Sequence, residues 1–281
     1  MERLWPYQTS QRSNGLSDLE IASECADHFL AGIDTTSDTL MFLLWSLSQP
    51  RNAHIQQKLH AEVLAIPDDA LDVNGNPSAQ ASDRCVYLNA VIKETLRLYA
   101  PLPSFEPRSL AAQSEIDGYT IPANTVVGMQ PYSLHRNPEV FPDPQTFDPE
   151  RWLGPGAAEA NRWFWAFSSG GRMCVGLQYV VAPAPCLSLA SLPSPPRSCS
   201  PTLISRASLA MAEMTTLTTA IYRKYETSLA PGFENATPGI TARFEVFFDE
   251  RYDVVKVSLS LFSLVSLSPP PTCQSGSRHI N

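Results

Sequence analysis

Apolar side chains recur at helical spacing between Asp18 and Ser48, at Ile21, Cys25, Phe29, Ile33, Leu40, Leu43, Leu44 and Leu47, and no proline intervenes until Pro50. That period predicts one long helix with an apolar face. In its middle lies Ala31-Gly32-Ile33-Asp34-Thr35-Thr36. Small residues, an acid and hydroxyls are poor mid-helix formers, so propensity does not explain their presence. A hydroxyl that bonds back to a carbonyl can open a helix locally and leave a groove beside Gly32. A buried helix with a glycine for close packing accounts for the same residues.

A second helical segment carries Lys93-Glu94-Thr95-Leu96-Arg97-Leu98 and ends at Ala100-Pro101-Leu102-Pro103. Glu94 and Arg97 stand three apart and share a face. Exposed pairs of this kind contribute little. The apolar flanks Val91, Ile92, Leu96, Leu98 and Tyr99 predict burial instead, and a buried pair needs further partners. Arg151, in Phe147-Asp148-Pro149-Glu150-Arg151-Trp152, supplies a third charge. Between these segments, Glu115 to Val127 reads as a small hairpin. A proline-rich meander follows from Asn137 to Arg162, and irregular connections of that length are usually functional or packed under a ligand.

Composition narrows the chemistry. The 281 residues suit one large domain or two small ones, and 43% apolar content suffices for a core. The net charge of −8 and the lack of any Lys/Arg cluster argue against nucleic acid as a partner. None of the six cysteines forms a C-x-x-C or zinc spacing, and nothing reads as a secretory signal. Gly154-Pro155-Gly156 lacks the third glycine and the strand–helix setting of a dinucleotide fingerprint.

The most informative run is Phe167-Ser-Ser-Gly170-Gly171-Arg172-Met-Cys174-Val-Gly176. Glycines let a backbone turn tightly, approach a flat ligand and aim N–H groups at an anion. A thiolate held there is a soft metal ligand, and Arg172 favours its ionised form. The run resembles the haem-binding loop of the cytochrome P-450 family, F-x-x-G-x-R-x-C-x-G, at every specified position. Ala31 to Thr36 resembles the family's A/G-G-x-D/E-T-T signature, and Glu94, Arg97 and Arg151 match its E-x-x-R and P-E-R-F/W elements.

The resemblance implies a mainly α fold with a small β region, here the C-terminal portion of the cytochrome P-450 fold, truncated on the N-terminal side. It implies haem b as cofactor, its iron ligated by the Cys174 thiolate. Phe167, Gly170, Arg172 and Gly176 would shape the loop around that ligand, and Ala31 and Gly32 would line the oxygen groove. Thr35 would orient and stabilise oxygen at the iron, with Asp34 relaying protons to it. Glu94, Arg97 and Arg151 would form a buried structural network. Arg108 sits where the family places a basic residue for a haem propionate. His135, in Leu134-His135-Arg136-Asn137-Pro138, is a candidate for the same edge or for a histidine satisfied by loop backbone.

The implied reaction is a monooxygenation of a small, apolar organic substrate by dioxygen. Since no dinucleotide motif is present, electrons would come from a separate NADPH-dependent flavoprotein reductase. Substrate identity is not readable. A haem-binding module without turnover and a gene-model product that does not fold stay open as other readings.

The resemblance covers residues 16–176 and 209–256, after a linker over residues 1–15. Between them, Leu177–Ser208 holds no Asp, Glu, Lys or Gly, and Leu, Ser and Pro make up 18 of its 32 residues. The family's post-cysteine helix pattern resumes only at Leu209-Ala210-Met211-Ala212-Glu213. A translated intron is the expected origin, with a genuine Pro/Ser-rich surface insertion as the alternative. Ile240 to Phe248 looks like a family C-terminal strand region. The tail from Val257 to Asn281, rich in Leu, Ser and Pro, is expected to be aberrant, although serine alternates with apolar residues over part of Val257 to Leu267. Relatives are often anchored in the endoplasmic-reticulum membrane through an N-terminal helix with no counterpart here, so location stays open.

Overall fold

The computed structural model describes residues 16–177, 209–234 and 257–261. The readings made for residues 1–15, for the insertion beyond Leu177, for the Ile240 to Phe248 strand and for the tail beyond Leu261 lie outside the described residues.

Helix α1 runs unbroken over Asp18–Leu47, one residue short of the span its period predicts. It starts on a reciprocal cap: the Ser17 hydroxyl accepts the Glu20 N–H at 3.3 Å, and the Glu20 carboxylate accepts the Ser17 N–H at 2.7 Å. Apart from Ile21 in its first turn, the well-covered part is C-terminal, through Thr36, Thr39, Phe42, Leu43, Trp45 and Leu47. Towards the N-terminal end of the same helix, Phe29 is 68% and Leu30 60% exposed.

A 3-10 turn at Pro50–Asn52 leads into α2 (Ala53–Leu64). A short α3 (Ala79–Asp83) precedes α4 (Val86–Leu98). The first backbone donors of α4 are satisfied from another helix: the Glu62 carboxylate of α2 accepts Tyr87 N–H at 2.7 Å and Leu88 N–H at 2.8 Å. An anion at a helix N-terminus is favourable both as acceptor and against the helix dipole.

The predicted hairpin is a shorter one, β1 (Ser114–Ile116) paired antiparallel with β2 (Tyr119–Ile121). Asp117 and Gly118 form its turn at φ 50° and 78°. Two positive φ values are what the commonest two-residue hairpin turn needs. The arms continue into an isolated bridge between Arg108 and Val127. Next come α5 (Pro131–Leu134), the meander, α6 (Ala157–Arg162), the Cys174 loop and α7 (Leu209–Tyr222). Strands β3 (Tyr225–Leu229) and β4 (Val257–Leu261) form a second antiparallel pair, in register from Tyr225↔Leu261 to Leu229↔Val257. The first five residues assigned to the tail by sequence thus form a strand where the alternation lay.

The main core joins α1, α2, α4 and α7 through Leu47, Leu59, Val63, Val91, Ile92 and Met214. Polar clamps hold the α7–β3 unit on α2. Arg223 donates to Val63 O at 2.6 Å, and the Tyr222 and Thr227 hydroxyls lie 2.8 Å apart. The Gln56 side chain reads β3 as a neighbouring strand would: its Nε2 donates to Thr227 O at 3.0 Å and its Oε1 accepts Thr227 N–H at 3.0 Å. The same Nε2 donates to Leu47 O at 2.8 Å, so one buried amide joins α1, α2 and β3. Replacing Gln56 by Leu would leave Thr227 N–H and C=O buried without partners. Orphaned groups of that kind cost about 1–3 kcal/mol each. Gln56→Leu is therefore expected to lower the denaturant midpoint of the chain with an unchanged m-value, and an unshifted midpoint would show that water or a relaxed β3 replaces the amide.

Among the described residues no helix is long and apolar enough to cross a membrane.

Candidate functional site

The first element of the site is the charge cluster on α4. Glu94 and Arg97 have no exposed side-chain surface, and they meet in a bidentate pair, Nε to Oε2 at 2.9 Å and Nη2 to Oε1 at 2.8 Å. Arg97 uses its remaining donors on three carbonyls of the irregular chain: Nη1 reaches His135 O and Pro144 O, both at 2.8 Å, and Nη2 reaches Thr146 O at 3.1 Å. Glu94 also accepts from Arg151 Nε at 3.0 Å, Asp148 N–H at 2.8 Å and Trp152 Nε1 at 3.0 Å. A buried ion pair is tolerable only when such additional bonds satisfy both partners. Here the cluster also binds the meander to α4, because the loop supplies most of those partners. Sequence reasoning found the three charges. It missed the Asp148 N–H and the Trp152 indole, although Trp152 stood inside the motif already singled out.

His135 joins the same assembly from α5. Its ring lies with Nδ1 3.1 Å from Arg97 O, and its Nε2 accepts Trp165 N–H at 2.8 Å. A carbonyl only accepts and a backbone N–H only donates, so the imidazole is neutral with its proton on Nδ1. Burial lowers its pKa from 6.5 to about 4; the bond to Arg97 O opposes that shift, and the Arg97 and Arg136 charges add to it. Phe164 stacks on the ring at 5.6 Å, with an interplanar angle of 13°. Both nitrogens are committed to backbone, which is the arrangement of a histidine satisfied by the loop, the alternative weighed for it beside a haem edge.

The Cys174 loop starts at Trp165 and closes on itself. Ser168 N–H donates to Trp165 O at 3.0 Å, Cys174 N–H to Phe167 O at 2.9 Å and Met173 N–H to Gly170 O at 3.2 Å. Two left-handed residues, Ser168 at φ 57° and Gly170 at φ 73°, allow the reversal. Phe167 is half-buried against the core, while Arg172 and the Cys174 side chain are exposed. No atom lies within 4 Å of the Cβ positions of Gly170 or Gly171, so that side of the loop is open. A Cβ at Gly176 would stand 3.5 Å from Cys174 Sγ and 4.0 Å from Ala210 Cβ. Helix α7 therefore packs against the Val175–Leu177 turn that follows the cysteine.

The remaining candidates sit apart from the Glu94 cluster. On α1, Thr35 Oγ1 donates to Ala31 O at 2.7 Å and Thr39 Oγ1 to Thr35 O at 2.8 Å. The expected back-bonding is present, but the helix stays continuous around it. Gly32 has open space on its Cβ side, and Ala31 and Asp34 are exposed. Arg108 exchanges backbone hydrogen bonds with Val127 at 2.9 and 2.8 Å, which leaves its side chain exposed with one bond to Pro107 O.

The family model of cytochrome P-450 matches residues 4–179, more than half of the chain. The chain belongs to the cytochrome P-450 family. A cyclooctat-9-en-7-ol 5-monooxygenase of Streptomyces melanosporofaciens is 36% identical over 167 residues, 59% of this chain and 35% of that protein. A cytochrome P-450 monooxygenase of Aspergillus parasiticus is 40% identical over 168 residues, 58% of this chain and 31% of its own. The taurochenodeoxycholic 6 alpha-hydroxylase of Sus scrofa is 32% identical over 175 residues, covering 62% and 33%. The chain spans about a third of the length of these curated relatives.

The residues present fit the family's cofactor. Among the described residues no group of three His, Cys, Asp or Glu could hold an ion. A lone exposed thiol suits an iron whose other positions are filled by a macrocycle rather than by protein side chains. The open flank of Gly170 and Gly171 leaves room for a flat group beside the sulfur.

Proposed function

We propose that this chain carries the haem-thiolate part of a monooxygenase that inserts one atom of dioxygen into a small apolar organic substrate and releases the other as water. The observation that carries the proposal is Cys174: an exposed sulfur on a self-closed glycine loop, within the residues matched by the family model, followed by a turn packed on α7 and led into by residues tied to α4. Haem, when bound, supplies the iron at which dioxygen is activated. Cys174 would hold it as thiolate. Arg108 offers an exposed guanidinium for a carboxylate edge of the cofactor. Thr35 would position oxygen through its hydroxyl, whose lone pairs remain available while it donates to Ala31 O, and Asp34 would carry protons in from solvent. The substrate and the flavoprotein reductase that delivers electrons follow from the same reading, and exposed Phe29 and Ile33 on α1 support an apolar substrate face.

The deciding experiment adds haem to the chain, reduces it and supplies carbon monoxide. The thiolate-type red-shifted Soret band is expected, and Cys174→Ser is expected to abolish it. An unchanged spectrum in the variant would overturn the assignment. A second reading, haem binding without turnover, is favoured by the exposure of Phe29 and Leu30 beside Gly32. Water reaching that face removes the dry, preorganised surroundings that oxygen chemistry needs. It predicts the thiolate band without substrate oxidation when NADPH and a reductase are added.

A further inference from the structure

The buried Glu94–Arg97 pair and the exposed Cys174 loop belong to different parts of the chain, and hydrogen bonds joined through the backbone of residues 165–168 link them. Arg97 Nη1 donates to His135 O, and the His135 Nδ1–H donates back to Arg97 O. His135 is thus locked to α4 by both its backbone and its ring. The other ring nitrogen accepts Trp165 N–H. Trp165 O takes Ser168 N–H, and Phe167 O takes Cys174 N–H. With no exposed surface, the imidazole has no water to exchange for these partners.

We propose that His135 is a positioning residue for the sulfur ligand. In its neutral Nδ1–H form it ties the last turn of α4 to Trp165 and thereby fixes where the Cys174 loop begins. The proposal rests on the reading of Cys174 as the iron ligand. A histidine is required because donor and acceptor must point in opposite directions from one rigid ring. Asparagine places an amide N–H near the Nδ1 position and cannot reach Trp165. Glutamine can place its carbonyl near Nε2 and keep the Trp165 bond at the expense of the Arg97 one. Phe164, stacked on the ring, holds the loop start by contact alone, and the two variants separate that contribution from the hydrogen bond.

The test compares the wild-type 281-residue chain with His135→Asn and His135→Gln. Amide exchange at Trp165 is expected to rise about tenfold or more in the Asn variant and to change by less than about threefold in the Gln variant, the spread expected from losing or keeping one partly buried hydrogen bond. With haem, reductant and carbon monoxide, the Asn variant is expected to lose part of the thiolate-type band that the Gln variant retains. Equal exchange at Trp165 in both variants, or full thiolate signal in both, would overturn the proposal. If α4 amides also lose protection in the Asn variant, the wild-type imidazole decides by proton–nitrogen NMR: an Nε2–H tautomer refutes the role, and an Nδ1–H tautomer with a protected Trp165 amide upholds it. Should Cys174→Ser keep the thiolate band, the ligand reading fails while the Trp165 exchange still reports whether His135 holds the loop.

Discussion

Glu94→Ala is expected to remove about 3–5 kcal/mol of folding stability. The change strips Arg97 of a bidentate partner at a site with no exposed surface, and it removes the acceptor for Arg151, Trp152 and Asp148 N–H. Breaking a buried pair from one side costs about 3–5 kcal/mol, because an uncompensated charge stays behind. That is a large share of the net stability of an ordinary domain, about 5–15 kcal/mol. Glu94→Gln keeps the volume but turns an N–H towards guanidinium and indole donors, so it should recover little. Arg97→Ala is expected to be as severe for a different reason: His135 O, Pro144 O and Thr146 O lose a donor, and the meander loses its hold on α4. Denaturant unfolding followed by circular dichroism reads both. A Glu94→Ala chain with the wild-type midpoint would show that the cluster opens to water and that its burial is not maintained in solution.

Replacing both charges by apolar residues, which is often neutral for a buried pair, should not rescue this one. Leucine and methionine at positions 94 and 97 would remove the unpaired charge but would still orphan the loop carbonyls and the Trp152 indole. The cluster is therefore less a salt bridge than a way of satisfying an irregular chain that packs on a helix without secondary structure of its own.

That distinction also explains what could be read in the sequence. Glu94, Arg97 and Arg151 were legible because charges amid apolar flanks demand partners. The Asp148 N–H was not, since a backbone donor leaves no mark on composition. His135 offered one residue and two plausible roles, and only the positions of Arg97 O and Trp165 N–H, fixed by tertiary packing, separate them. The period of α1 predicted its length to within a residue. It could not predict that Phe29 and Leu30 would be exposed while Phe42 and Leu43 are covered, because burial depends on which elements arrive. Gln56 gave a weak signal, a polar residue between Ile55 and Leu59 on a buried face. Its function as a surrogate strand for Thr227 required β3 to be in place. The turn of the Cys174 loop was legible in part, because Gly170 at φ 73° is a local requirement of the backbone, whereas Ser168 at φ 57° left no mark in the sequence.

Acidification is expected to weaken the fold between about pH 6.5 and pH 4, with His135 as the principal cause. Its pKa is lowered by burial first, and the nearby Arg97 and Arg136 charges act in the same direction. The unfolded chain therefore binds a proton at higher pH than the folded one does. Stability from keeping this imidazole neutral is fully present above 6.5, is lost progressively as pH falls, and is gone near the folded value of about 4. The gap corresponds to about 3 kcal/mol. Protonation would set an N–H at Nε2 against Trp165 N–H, so the loss falls on the contact that leads into the Cys174 loop. His60, packed edge-on to Tyr222 at 5.6 Å, adds in the same direction: burial lowers its pKa, partly offset by Glu226 and by a backbone hydrogen bond at Tyr222. Carboxylates also titrate as the pH falls, so the informative quantity is a difference. The denaturant stability of wild type minus that of His135→Gln should shrink by about 3 kcal/mol from pH 7 to pH 4. A constant difference across that range would mean that the imidazole is hydrated or already charged at neutral pH, contrary to its two backbone partners.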